Sequence, residues 1–561
     1  MIFVIVLLNT WILVMKILEN RLVVVLVFGV MIILLSTQCL IAAELPKDFE
    51  PAPAPGAFFA AKSGETSRKP FVSGDPVIAT SYFYWYDIDS KAHILNSDGS
   101  DALTDHPVSI DGMSWKNSNW HEQQFRQMTE AGIDVAIPVY WGSPTARQPN
   151  AFHFSDDGVP SMIEALDTML ANGEKAPTLG LFYDTSTLGY NAGNYHVDLT
   201  TDAGKRWFYG TIRDFFSMVP PKHRATIDGK PLVFLYAAAF AKDVDATLFP
   251  AVREMFRKDF GTDLYLVKTA EWPGEADSVY QWGAAINFII LDAAGIGPGY
   301  DHSAVPGRMP LVRPRDNGDF YTLGWERLLK MNPKSRPFLV HLETWNEFHE
   351  GTEITESKEH GTLYLELTKK YAEKFHAKER IREISIAPKY TEPTATLDAE
   401  LGITAVNFAP PGDGPIKMIE LDENGQKTKV WSTLPKANIG NPNERFFYFD
   451  VDAMFLIEQV DAVELTVVYR LGSNADANSF AVHYDSYHPA LKGLDQAFRG
   501  TKPANVIQKD GWNIATFHLP EPRFENRSNG SDFRLFVSGD EMIVQKVSLR
   551  KMPENTVKTI E

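Results

Sequence analysis

The sequence runs to 561 residues, with 72 acidic against 54 basic side chains, a net charge of −18 and 44% apolar residues. That length exceeds what one hydrophobic core organises and predicts two or three domains. An acidic surface repels phosphate backbones, which argues against nucleic acid as a partner and leaves neutral sugars open. Aromatic residues make up 12% of the chain, with 12 Trp and 20 Tyr, a richness that suits sugar contact and large cores equally.

Residues 1–43 are almost wholly apolar and read as a targeting segment. Lys16 and Arg21 supply the basic flank, Leu22 to Leu35 the apolar run, and Ala42-Ala43 a small-residue cleavage site. A retained membrane anchor is the alternative, and the run is short for one. The expected location is therefore periplasmic or extracellular, with membrane contact through this segment alone if it stays uncleaved. Cys39 is the sole cysteine, so a cleaved chain has no disulfide, thiolate metal site or cysteine nucleophile. Residues 44–70 form a Pro/Ala-containing linker.

From Pro76 to about Lys378 strand and helix patterns alternate. Strands are predicted at Val77 to Tyr84, Ile133 to Tyr140, Thr178 to Tyr183, Leu232 to Tyr236, Leu264 to Lys268, Ile286 to Leu291 and Pro337 to Leu342, with a short eighth near Ala294 to Gly299. Helices are predicted at Asn119 to Ala131, capped by Asn119, and at Ser161 to Ala171, Gly204 to Met218, Leu248 to Asp259, Phe320 to Met331 and Gly361 to Phe375. Repeated β-α units over residues 71–385 point to an α/β (β/α)8 TIM barrel. An open doubly wound sheet competes, but no glycine fingerprint follows the first strand. Aromatic and acidic residues recur where strands end: Tyr84, Trp141, Asp184, Glu271, Tyr300 and Trp345. In a closed barrel they would meet at one rim, where rings stack on sugar faces and carboxylates accept hydroxyl protons.

From about Ala387 the pattern turns to short strands between Gly, Asn, Asp and Pro clusters. Runs such as Phe446 to Val451, Val463 to Tyr469 and Met542 to Leu549 predict an all-β sandwich over residues 400–555, of a galactose-binding-like kind. Nothing in it marks a ligand site, so a packing role is expected. Asn526 and Asn529 each open a glycosylation triplet.

The chemistry concentrates in Thr344-Trp345-Asn346-Glu347-Phe348-His349-Glu350-Gly351-Thr352-Glu353, just after the last predicted strand. Ligands bind at that end of parallel strands. Glu347 and Glu350 are three apart, which on a helical turn leaves about 5–6 Å between Cβ atoms. Glycosidic cleavage needs two carboxyl groups about 5–5.5 Å apart for retention, or roughly 6.5–9.5 Å for inversion. His349 would orient a glutamate, Asn346 hold a sugar hydroxyl and Trp345 form a wall. Glu343 and His341 would form a polar layer inside the barrel. His349-Glu350 lacks the second histidine of the helical zinc motif, since Glu353 stands in its place, so no catalytic zinc and no cofactor are expected, while calcium on loop carboxylates stays open. No Gly-x-Ser-x-Gly elbow supports a serine nucleophile.

Trp345-Asn346-Glu347-Phe348-His349-Glu350-Gly351-Thr352 resembles the signature of glycoside hydrolase family 99 and its family 71 and family 99-like relatives. Tyr84-Trp85-Tyr86, Ala131-Gly132-Ile133-Asp134 with Tyr140-Trp141, and Pro298-Gly299-Tyr300-Asp301 are similar in a supporting way. Phe348 stands where the family more often has Trp. The resemblance implies a (β/α)8 barrel cleaving α-linked polysaccharide or glycan with retention. It gives Glu347 the role of base on the sugar 2-hydroxyl, through an epoxide-like intermediate, and Glu350 the role of general acid and then base. A glycan-binding protein without turnover, or a structural envelope protein, on the same barrel is the alternative.

Overall fold

The computed structural model describes residues 43–59, 66–142, 153–287, 289–308, 311–406, 417–423, 426–433, 446–452, 454–456, 460–471, 479–488, 490–491, 494–505, 511–524, 528, 531–538 and 541–552. The expected targeting segment, apart from its last residue, lies outside the described residues, as do Asn526, Asn529 and the stretch 143–152. Among the described residues no helix is long and apolar enough to cross a membrane.

The N-terminal half is mixed α/β. Its parallel strands are β1 (Val77–Tyr82), β2 (Val135–Tyr140), β3 (Thr178–Leu179), β4 (Leu181–Tyr183), β5 (Lys230–Leu235), β6 (Tyr265–Thr269) and β7 (Ser278–Tyr280). After a two-residue strand β8 (Ile289–Ile290) come β9 (Ala293–Ile296) and β10 (Leu339–Leu342). β10 pairs in parallel with both β1 and β9, and β1 with β2. β2 pairs with β3 and β4, β4 with β5, β5 with β6 and β6 with β7. Most of these strands are buried on both faces, which is why they read as continuous apolar runs rather than alternations.

Helices α1 (Ser118–Glu130), α2 (His153–Ala171), α3 (Asp202–Met218), α4 (Leu248–Phe260), α5 (Asp319–Lys330) and α6 (Leu363–His376) follow β1, β2, β4, β5, β9 and β10. The cap of α1 is Asn117, whose side chain accepts from Asn119 N–H at 3.1 Å, rather than the expected Asn119. α2 begins well before the expected Ser161 and carries Pro160 inside it. Among the described residues no helix separates β6, β7 and β9. The expected strand at Ile286 to Leu291 is therefore two residues of an antiparallel hairpin with β9, and the strand expected near Ala294 takes its place beside β10.

Residues 44–59 are not a free linker. Phe49 packs on Trp207 with ring centroids 5.2 Å apart, and Arg206 and Arg213 donate to the carbonyls of Phe49 and Ala52. The C-terminal half forms two antiparallel sheets, one around Ala462–Leu471 and Met542–Lys551, the other around Phe446–Val451 and Phe533–Ser538. Alternate residues of both, such as Val463, Leu465, Phe447 and Phe449, share one core. Arg327 donates to the Leu456 carbonyl at 3.0 Å, and Leu323 packs on Met454, so α5 abuts this half.

Candidate active site

Loop 343–355 leaves the C-terminal end of β10 and is pinned from several sides. Trp345 N–H donates to the Ser81 carbonyl on β1, β10's neighbour, and Thr344 and Thr352 close the loop on itself at 2.9–3.0 Å. Thr344 Oγ1 accepts from Glu347 N–H at 2.9 Å, and the Thr104 hydroxyl donates to the His349 carbonyl at 2.7 Å. Arg315 donates to the carbonyls of Gly351 and Glu353 at 2.9 and 3.0 Å, and to the carboxylates of Glu353 at 2.5 Å and Asp105 at 3.0 Å. Gly351 has φ of 52°, and a Cβ there would lie 3.2 Å from Asp105 Oδ2, so the tight return needs glycine.

The loop delivers Glu347, His349 and Glu350 into a cavity of about 340 Å3. One wall is Phe83, Trp85, His93 and Trp141; the other is Phe182, Tyr236, Phe240 and Trp282. Asp184, Ser186, Val305 and Arg308 complete it. His93 stacks on Trp85 at 4.4 Å, and Trp85 meets Trp141 edge-on at 5.4 Å.

Glu347 is buried. Its Oε1 accepts from His349 Nδ1 at 2.6 Å and from His349 N–H at 3.2 Å, while Oε2 has no hydrogen-bond partner among the described residues. Burial pushes Glu347 above the ordinary carboxylate range, and the neighbouring His349 partly offsets that. Burial pulls His349 down, but the charge and hydrogen bond of Glu347 more than compensate, and the imidazole ends above its usual value. Glu350 is ion-paired with Arg308, whose Nη1 also lies 3.3 Å from the Tyr300 hydroxyl. Asp184 accepts from Trp141 Nε1 at 2.5 Å and from Ser186 N–H at 3.0 Å; burial raises it, and Glu350 adds to the rise.

The structure brings Glu347, Glu350, His349, Trp141 and Asp184 together, with Tyr300 beside Arg308. It does not bring the other expected contacts to the cavity. Tyr84 is fully buried between β1 and the helices, against Phe154, and donates to the Ser155 carbonyl at 3.0 Å. Gly158 makes room for it: a Cβ there would sit 2.6 Å from the Tyr84 ring. Trp345 is also fully buried and donates to Gln124 on α1 at 2.7 Å. Asn346 clamps the Phe83 backbone, accepting from its N–H at 2.8 Å and donating to its carbonyl at 2.7 Å. Glu271 is exposed outside the cavity, while its neighbour Trp272 is buried and bonds the Tyr236 carbonyl.

Among the lining residues the sequence did not single out, Phe83 and Trp85 flank Tyr84, and period-two alternation along β1 would have found them. His93 and Arg308 lie on loops and carried no such signal. Glu343 accepts from Gly283 and Ala284 N–H groups at 2.8–3.0 Å, and burial pushes it up to about 8. His341, bonded to Ser81 at 2.7 Å, lies among Phe182, Phe234 and Tyr280 and is pulled down to about 3 by burial. Asp105, Glu353 and His360 bring ligand atoms within 4.8 Å of one another, but Arg315 already supplies the cation there.

A mixed α/β scaffold that sets two glutamates between aromatic walls at the C-terminal end of its strands defines the class. The chain belongs to the family described as Domain of unknown function (DUF5010), whose model matches residues 60–385. It is 37% identical over 107 residues to the mouse glycoprotein endo-alpha-1,2-mannosidase, covering 16% of this chain and 22% of that protein. It is 33% identical over 113 residues to the human glycoprotein endo-alpha-1,2-mannosidase-like protein, covering 17% and 24%. The matched stretch thus spans less than a quarter of those relatives' length. A solved GH99 endo-alpha-mannosidase from Bacteroides thetaiotaomicron is similar at 17% identity, over 55% of this chain and 100% of that one, with a TM-score of 0.40. The family 99-like character expected from the motif at Trp345 to Thr352 is met by these relatives.

Proposed function

We propose that the chain is an exported glycoside hydrolase that cleaves α-linked glycan with retention, using Glu347 and Glu350. The observation that carries the reading is the carboxyl of Glu347: buried, bonded on one oxygen to His349, and with the other oxygen unpartnered beside a cavity that Glu350 also lines. The curated relatives named endo-alpha-1,2-mannosidase support an α-mannoside as the first substrate to try. In this reading β1, β2, the interrupted strand β3–β4, β5, β6, β7, β9 and β10 close into a (β/α)8 barrel with its seam between β7 and β9. Residues 71–385 form the catalytic unit and residues 400–555 a sandwich packed on it.

Desolvation makes Glu347 a stronger base, and His349 as a cation holds it ionised until a sugar 2-hydroxyl delivers its proton. The 2-oxygen then displaces the leaving group while Glu350 protonates the departing oxygen. Water, deprotonated by Glu350, opens the epoxide-like intermediate at C1 while Glu347 returns its proton to the 2-oxygen, and two inversions give net retention. To act as acid Glu350 has to part from Arg308, so Arg308 swings aside as glycan enters. That ion pair also favours a second reading, glycan binding without turnover.

Reducing-end release from α-mannans, α-glucans and sulfated algal polysaccharides tests both. Glu350→Gln should abolish release and leave binding intact, and the first product anomer should keep the α configuration. Release unchanged in both Glu347→Gln and Glu350→Gln overturns the assignment. Binding with no release from any substrate selects the second reading. Fractionation of producing cells tests export.

A further inference from the structure

Tyr190 is 69% exposed, an unusual position for a large ring. It lies on the turn that follows Ser186 and packs on Phe240, and both of those residues line the cavity. The turn is built to hold it there. Tyr190 and Gly189 N–H groups donate to the Ser186 carbonyl at 2.9 and 3.0 Å. Asn191 donates to the carbonyls of Thr187 and Tyr195 and accepts from Tyr195 N–H, all within 3.0 Å. The ring meets Phe240 edge-on at 6.0 Å; Phe240 stacks on Tyr236 at 5.9 Å and Tyr236 meets Trp282 at 5.3 Å. Phe240, Tyr236 and Trp282 all line the cavity. A continuous lane of rings therefore runs from beside the acids to an exposed platform outside them.

We propose that Tyr190 is the stacking platform of a distal sugar subsite, and that the substrate is an oligosaccharide chain running from the acid pair along this lane and over the rim. The inference rests on the glycan-acting reading above and adds the length of chain the site grips. A half-exposed aromatic face buries its apolar surface against the apolar face of a pyranose, whereas a site for single terminal sugars has no use for a rigid ring beyond its mouth.

The test uses the full chain, Tyr190→Ala and Tyr190→Trp, with ladders of α-linked mannose and glucose oligomers of two to seven units. For the wild type kcat/KM should rise with length until the chain reaches the rim. Tyr190→Ala should cut kcat/KM on the longest oligomers about tenfold, the order expected for one lost stacking ring, and leave the shortest cleaved oligomer unchanged. Tyr190→Trp should preserve the rise. Equal loss at every length, or none at any, overturns the subsite. If no oligomer is cleaved, the hydrolase reading fails on its own, and calorimetric binding of the same ladders decides the subsite. A length-dependent affinity lost in Tyr190→Ala supports it, and its absence overturns it.

Discussion

Asn346 separates two accounts of the loop that carries the acids. If it holds a sugar hydroxyl, Asn346→Ala weakens substrate binding and leaves the fold alone. The structure gives it another task. Its amide spans the Phe83 backbone in two buried bonds of 2.7 and 2.8 Å and so ties the loop after β10 to the chain leaving β1. Truncation leaves one N–H and one carbonyl of Phe83 buried without partners, at about 1–3 kcal/mol each. The expected loss is about 2–6 kcal/mol, which for a unit of some three hundred residues lowers the melting point by roughly 3–10 °C. Scanning calorimetry of the full chain reads that shift. Phe83 itself lines the cavity, so kcat should fall with the melting point as the neighbouring wall loosens. A melting point within about 1 °C of wild type, together with a raised KM, would refute the strut and restore Asn346 as a sugar ligand.

Two further outcomes concern protons. His349→Asn removes the imidazole whose charge and hydrogen bond lower Glu347, so the acid limb of the kcat/KM profile should move to higher pH; an unmoved or lowered limb would separate Glu347 from that limb. Glu343 is raised to about 8 in the folded chain from an ordinary value near 4.5. A raised carboxyl stabilises while protonated, so its contribution is full below about pH 4.5 and is lost as pH climbs through about 8. Melting points taken between pH 5 and 9 should fall, and Glu343→Gln, which keeps a carbonyl acceptor for Gly283, should flatten that fall. A wild-type curve that does not fall over this range would be inconsistent with it.

What the sequence disclosed follows from where the information lies. β1, β2 and β10 are buried on both faces, and their apolar runs announce them; the acid pair sits three residues apart on one loop, so spacing alone proposes it. β7 is three residues long with a half-buried centre, and nothing in Ser278-Val279-Tyr280 distinguishes it from a turn. Cavity walls are harder still. At the end of β1 the side chains alternate, so Phe83 and Trp85 face the acids while Tyr84 turns to α2. Which of these rings faces the acids is a matter of parity, and a shift of one residue reverses every contact.

Arg308 and His93 mark a deeper limit. They reach the cavity from loops, His93 with φ of 56°, and no periodicity connects either to Glu347 or Glu350 across 39 residues or more. Yet both touch the working groups: Arg308 pairs with Glu350, and His93 packs against His349 with ring centroids 5.8 Å apart. A strand pattern can therefore deliver a pair of acids to the right end of a sheet, while the state in which those acids work is decided by loop residues that only the folded chain brings near. The same division explains why the motif at Trp345 to Thr352 splits in two. Trp345 and Asn346 lock the loop to α1 and β1, and Glu347, His349 and Glu350 are what that locking holds in the cavity.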